Sequence, residues 1–161
     1  MADNIKRLPS GIQKQEEQKG ETPAPIPSPP AGVPSASAMT NEYITGKLFS
    51  LHNTAHYYHF QCSNHAQHKA LEHLYERLVH LKDEIPEFLL GLQAPMRLQY
   101  IVLDEIKPFS DTALLSFLEE GCAFGKSLCE CAELRGLEPL EDMAGHICKE
   151  FSHCKLLISY K

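Results

Sequence analysis

Nine histidines are many for a chain of 161 residues, and seven of them fall between His52 and His80. Imidazole is the commonest metal-ligating side chain, and carboxylates complete many sites for divalent cations. The same region carries Glu72, Asp83 and Glu87. The chemistry open to such a set is cation binding. Whether one ion can be shared depends on where a helix would put each residue.

At about 100° per residue, with His68 at zero, Leu71, Leu74, Leu78, Leu81, Ile85, Phe88 and Leu89 fall at about 200–300° and form a core stripe. His68, Glu72, Tyr75, Val79, Asp83 and Glu87 fall on a separate strip, from about −20° to 100°. His73 and His80 point elsewhere, at about 120–140°, which predicts solvation for both. Along the axis the strip divides. His68 and Glu72 are four residues apart, as are Asp83 and Glu87, but fifteen residues separate His68 from Asp83. That is about 22 Å of helix rise, far beyond a metal–ligand bond of about 2 Å.

A second copy of the helix resolves the separation. The pairs 68/87 and 72/83 share one midpoint, so an antiparallel copy about a two-fold axis there puts His68 near the partner's Glu87 and Glu72 near the partner's Asp83. Two identical sites result, as an isologous dimer requires. A preceding helix that runs back after a turn at Cys62–Ser63 brings His56 beside His68. The expected site is His56 and His68 from one subunit with Asp83 and Glu87 from the other, and Glu72 alongside. Two imidazoles and two carboxylates suit Fe(II), and also Mn(II) or Zn(II). Two other metal readings compete: a zinc site from His52, His56 and His59, and a soft-metal site from Cys129, Cys131 and Cys148. The six cysteines show no C-x-x-C pair, which favours reduced, buried thiols.

The elements that must position these residues are helical. Ile44, Leu48, Leu51, Ala55 and Tyr58 step by three or four, which predicts a helix over about Asn41 to Gln61. A second is predicted over about Asn64 to Leu90, with Gly91 as its stop. A third starts at the Ser110–Asp111 cap and ends at Gly136; a fourth starts with Pro139 in its first turn and runs to about Tyr160. A loop with Pro95 and Pro108 joins the pairs, with a short helix predicted around Leu98–Glu105. The fold class is all-α, a four-helix bundle. Gly121 and Gly125, one turn apart, offer a close helix approach.

Residues 1–39 read as a disordered arm, and 40–161 as the folded domain. Seven of the eleven prolines lie at or before Pro34, and the stretch TPAPIPSPPAGVPSASA has too little apolar surface to offset its ordering entropy. It is a spacer or a docking ligand for a protein partner. The arm has four acids and four bases, so the formal charge of −6 resides on the body. An acidic body repels phosphate backbones, so DNA binding is not expected. With no signal peptide and no long apolar run, no membrane association is expected and the location reads as cytoplasmic.

The stretch LHNTAHYYHFQCSNHAQHKALEHLYERLVHLKDEIPEFLLG resembles the Dps branch of the ferritin superfamily, which protects DNA during starvation. The family has a histidine, a second twelve residues on, an aspartate fifteen further and a glutamate four further; His56, His68, Asp83 and Glu87 have these spacings. It looks closer to small phage-encoded ferritin-like proteins than to typical bacterial members of that branch, which would place it in a host cytoplasm. The resemblance implies a ferritin-like bundle, a ferroxidase site between subunits that oxidises Fe(II) with peroxide or oxygen, and a homo-oligomer, from a two-fold dimer to a hollow dodecameric cage that stores iron. Three departures stand out. Tyr57 occupies a position where the family usually has tryptophan. Pro86 sits between the two carboxylates and predicts a kink, at about 3 kcal/mol if uncompensated. The arm is not lysine-rich. The alternative function is a structural or interaction module docked through the arm, without iron chemistry.

Overall fold

A computed structural model describes residues 34–92 and 97–159. Four helices follow a short 3-10 turn at Ala36–Ala38: α1 (Asn41–Gln61), α2 (His65–Gly91), α3 (Asp111–Arg135) and α4 (Glu138–Ser159). Local chemistry sets their ends. The Thr40, Asn64 and Ser110 side chains accept hydrogen bonds from first-turn amides of α1, α2 and α3, which satisfies donors that have no partner inside a helix. Gly136 ends α3 in the left-handed region, at φ 65°, where glycine carries no Cβ penalty. The bundle is all-α, as the periodicity predicts, with no strand among the described residues.

Each helix packs antiparallel to two neighbours. In the α1–α2 hairpin, His59 meets His68 at one end and His52 meets Lys82 towards the other. In α3–α4, Glu119 pairs with Lys155 and the Cys129 thiol reaches the Glu141 carbonyl. Between the hairpins, α2 faces α4 and α1 faces α3, so α2 and α3 start at the same end of the bundle, where Gln67 Nε2 donates to Asp111 Oδ1 at 3.0 Å. A single long crossover must therefore return the chain along the bundle.

Residues 97–110 of that crossover have no helix, contrary to the short helix expected around Leu98–Glu105. They lie along α1 instead. Gly46 lets them approach: a Cβ there would stand 2.4 Å from the Val102 carbonyl oxygen. Ser50 Oγ donates to Gly46 O at 2.9 Å and accepts from the Asp104 amide at 2.8 Å. Lys47, only 7 % exposed, bonds Asp104 at 2.6 Å and also Glu120 of α3. Phe109 then meets Tyr58 edge-on, with Phe117 of α3 on the same ring. The Asp104 amide, which a local helix would bond to its own chain, is thus spent on α1.

The core holds the expected stripes: Ile44, Leu48, Leu51, Ala55 and Tyr58 from α1, and Leu71, Leu74, Leu78, Leu81, Ile85 and Leu89 from α2. Phe88 is only partly buried. Between α3 and α4 the two glycines do allow contact. A Cβ on Gly121 would stand 2.2 Å from the Phe151 ring, and one on Gly125 would stand 2.7 Å from Cys148 Sγ. The folded body starts earlier than residue 40. Ala36 packs on the core, Met39 is buried within it, and Arg135 donates to the Met39 carbonyl. Residues 34–39 thus belong to the body and not to the arm; residues 1–33 lie outside the described residues. No helix among the described residues is long and apolar enough to cross a membrane.

Candidate metal centre

The strip predicted on α2 exists as a face of the α1–α2 hairpin. His68, Glu72 and Tyr75 are half-buried, while Val79, Asp83 and Glu87 are exposed. Helix α2 continues from His65 to Gly91 with Pro86 inside it, so the proline ends neither the helix nor the strip. Asp83 and Glu87 have no ion-pair partner among the described residues. Glu72 does: Lys69, three residues before it, pairs with it and holds its carboxyl below the usual carboxylate range.

Two histidines are fixed by each other's backbone. His59 Nδ1 donates to the His68 carbonyl at 3.1 Å, and His68 Nδ1 donates to the His59 carbonyl at 3.1 Å. A carbonyl only accepts, so both Nδ1 atoms carry protons and the neutral ring keeps its lone pair on Nε2. This is how ligating histidines are oriented in metal sites. The two rings lie 3.8 Å apart, centroid to centroid. The ring beside His68 is thus that of His59, whereas His56 lies against Tyr75 at 4.4 Å. The cause is the antiparallel register of the hairpin: with His59 level with His68, His56, a turn earlier on α1, falls level with residues a turn later on α2.

Within one chain the five expected ligands do not converge. His68 and Glu72 lie near the start of α2, and Asp83 and Glu87 near its end. The zinc reading from His52, His56 and His59 does not assemble either. The three do not bring ligand atoms within 4.8 Å of one another, and His52 Nδ1 lies instead 3.1 Å from Lys82 Nζ and 3.3 Å from Asn53 Oδ1. Burial, with Lys82 and His56 nearby, keeps the His52 ring below the usual imidazole value. Cys129, Cys131 and Cys148 do not bring their sulfurs within 4.8 Å of one another either. Cys131 is buried, and the Cys129 and Cys148 thiols donate to the carbonyls of Glu141 and Cys122 at 3.8 and 3.7 Å. All six cysteines are free, and burial pushes the Cys129 and Cys148 thiols up.

One cluster does form, and helical spacing alone did not reveal it. His73, Glu150 and His153 bring their ligand atoms within 4.8 Å of one another, the group of three that meets among the described residues. His73 is not merely solvated, as the wheel predicts; its Nε2 lies 3.3 Å from Glu150 Oε2. Its partners sit on α4, more than seventy residues away. A sequence signal did exist: Glu150 and His153 are three apart and so share a helix side.

Compared with known proteins, the chain gives no match: no family model, no curated protein and no solved structure aligns with it.

Proposed function

We propose that this protein binds Fe(II) as a substrate and oxidises it at sites shared between two copies of the chain, as a ferritin-like bundle. In this reading His56 and His68 of one subunit face Asp83 and Glu87 of the other, and Glu72 adds a further acid. Each Fe(II) gives one electron to peroxide or dioxygen, and the carboxylates offset the charge gained by Fe(III). The ferric product is held by the homo-oligomer, a dimer or a larger cage. Manganese or zinc would compete for the same donors.

One observation carries this reading. The α1–α2 face presents His68 with its Nδ1 tied back to a carbonyl and its Nε2 unspent, on the same strip as two exposed acids without ion-pair partners among the described residues. Asp83 and Glu87 are exposed, so their oxygens are open to a cation or to the same face of a second copy. Supporting it are the ligand spacings and a bundle with one long crossover, a connectivity that ferritin-like folds share.

The test is complementation. His68→Ala and Asp83→Ala chains should each fail to form the near-ultraviolet ferric absorbance from Fe(II). In a mixed dimer both defects fall on one site, and the other site keeps all its ligands. Co-assembly should therefore recover part of the rate. Mixed dimers, verified by mass, that stay as inactive as their parents would sink the shared site and favour an interaction module without iron chemistry.

A further inference from the structure

The seam between α2 and α4 holds a buried carboxylate that is poorly bonded. Glu150 is 5 % exposed. Neighbouring Phe151 enters the core, which turns Glu150 towards α2. There Oε2 meets His73 Nε2 at 3.3 Å and Oε1 meets Arg77 Nε at 3.4 Å. Charge-assisted bonds are usually about 2.7–2.9 Å, so both contacts are loose. Burying a carboxylate is expensive unless strong partners replace its water. His153 stands one turn after Glu150, with its ring 5.3 Å from that of His73 and nearly perpendicular to it.

We infer that His73, Glu150 and His153 form a binding site for a divalent first-row transition ion of the zinc class, built within a single chain. Two imidazoles and one carboxylate are a recurrent three-ligand set for such ions, and they leave a position for water. Calcium and magnesium prefer all-oxygen shells, so this set disfavours them. The ligand atoms lie within 4.8 Å of one another; a tetrahedral shell with bonds of about 2.0–2.2 Å needs them about 3.4 Å apart. Rotation of His73 and His153 closes that difference, because neither ring is packed in the core. The Arg77 side chain is 53 % exposed and can leave Glu150 for solvent as the ion arrives. The ion then replaces two loose contacts with one strong one and ties the first hairpin to the second. This site is separate from the α1–α2 strip: His73 lies about 140° round α2 from His68.

The probe is Co(II), whose visible bands report low-coordinate nitrogen and oxygen shells. The full chain carrying both His68→Ala and Asp83→Ala, in which the shared site is disabled, should bind one Co(II) per chain, and Zn(II) should displace it. Adding His73→Ala or His153→Ala should each weaken binding by at least about tenfold, as losing one ligand does. Adding His80→Ala, a nearby exposed histidine, should not. Saturating Zn(II) should also raise the melting temperature only where His73 and His153 are both present. Both alanine variants should fold, since neither ring is in the core. Co(II) binding that survives His153→Ala, or that is already lost in the His68→Ala, Asp83→Ala background, would overturn the inference. The second outcome would leave the proposal of the shared iron site standing.

Discussion

At the scale of single residues, the buried thiol of Cys154 carries a pH dependence. Burial pushes it from 9.0 up to about 12. In the unfolded chain the thiol ionises from about pH 9, while in the folded chain it stays protonated. The unfolded state is therefore stabilised as pH rises, and stability declines between pH 9 and about 12, by up to about 1.4 kcal/mol per pH unit from this group. Lys47 adds to the decline. Burial alone would lower its pKa, but its bonds to Asp104 and Glu120 outweigh that and raise it above 10.5, so its contribution is lost as pH climbs through that raised value. Urea unfolding from pH 8 to 10.5 should show a steeper fall for the native chain than for Cys154→Ala; equal slopes would exclude the thiol as a cause. Neither effect is legible in sequence, because a cysteine or lysine reveals its burial only once the chain is folded. The same is true of His73 and Glu150. Their types suggest chemistry, but their meeting depends on how two distant helices pack.

At the scale of elements, most of what holds the helices together could be read in advance. Caps, stops and apolar stripes act within a few residues, so Ser110 and Gly136 mark helix ends where the sequence puts them, and the caps at Thr40 and Asn64 fall within a residue of the starts that periodicity predicts. The crossover could not be read in this way. Its extended form is set by Gly46, Lys47 and Ser50, more than fifty residues before it. The exact pairing of His59 with His68, in place of His56, depends on hairpin register, which a helical wheel does not contain. The glycines separate packing from tolerance. Gly121→Ala drives a methyl group into the fully buried Phe151 ring and should cost about 1–3 kcal/mol. Gly145, also within a helix, has open space around it, and Gly145→Ala should stabilise by about 0.5–1 kcal/mol. Thermal melts of the two variants should move in opposite directions; a shift of the same sign would show that the α3–α4 approach is not tight.

At the scale of the whole molecule, the boundary of the body is a testable point. Composition alone puts it after Met39, since proline and small residues run up to that point, but one buried side chain moves it. A chain lacking residues 1–33 should melt like the full chain, because that stretch has too few large apolar side chains to contribute much to a core. A chain lacking 1–39 loses the Met39 side chain and the carbonyl that Arg135 holds, and should lose about 2–5 kcal/mol. Equal melting temperatures for the two truncations would show that Met39 adds nothing. The ring of antiparallel neighbours has a consequence of a different kind, for the order in which the molecule is made. Contacts inside each hairpin join residues close in sequence, so their loops close at small entropic cost. The Lys47 contacts reach 57 and 73 residues along the chain, so their loops close at larger entropic cost and they are expected to form after the contacts inside the hairpins. Interactions made after the folding barrier leave the folding rate almost unchanged and slow escape from the native state. On that order the buried lysine is a latch on the lifetime of the fold: Lys47→Met should speed unfolding more than it slows folding, as stopped-flow rates would show.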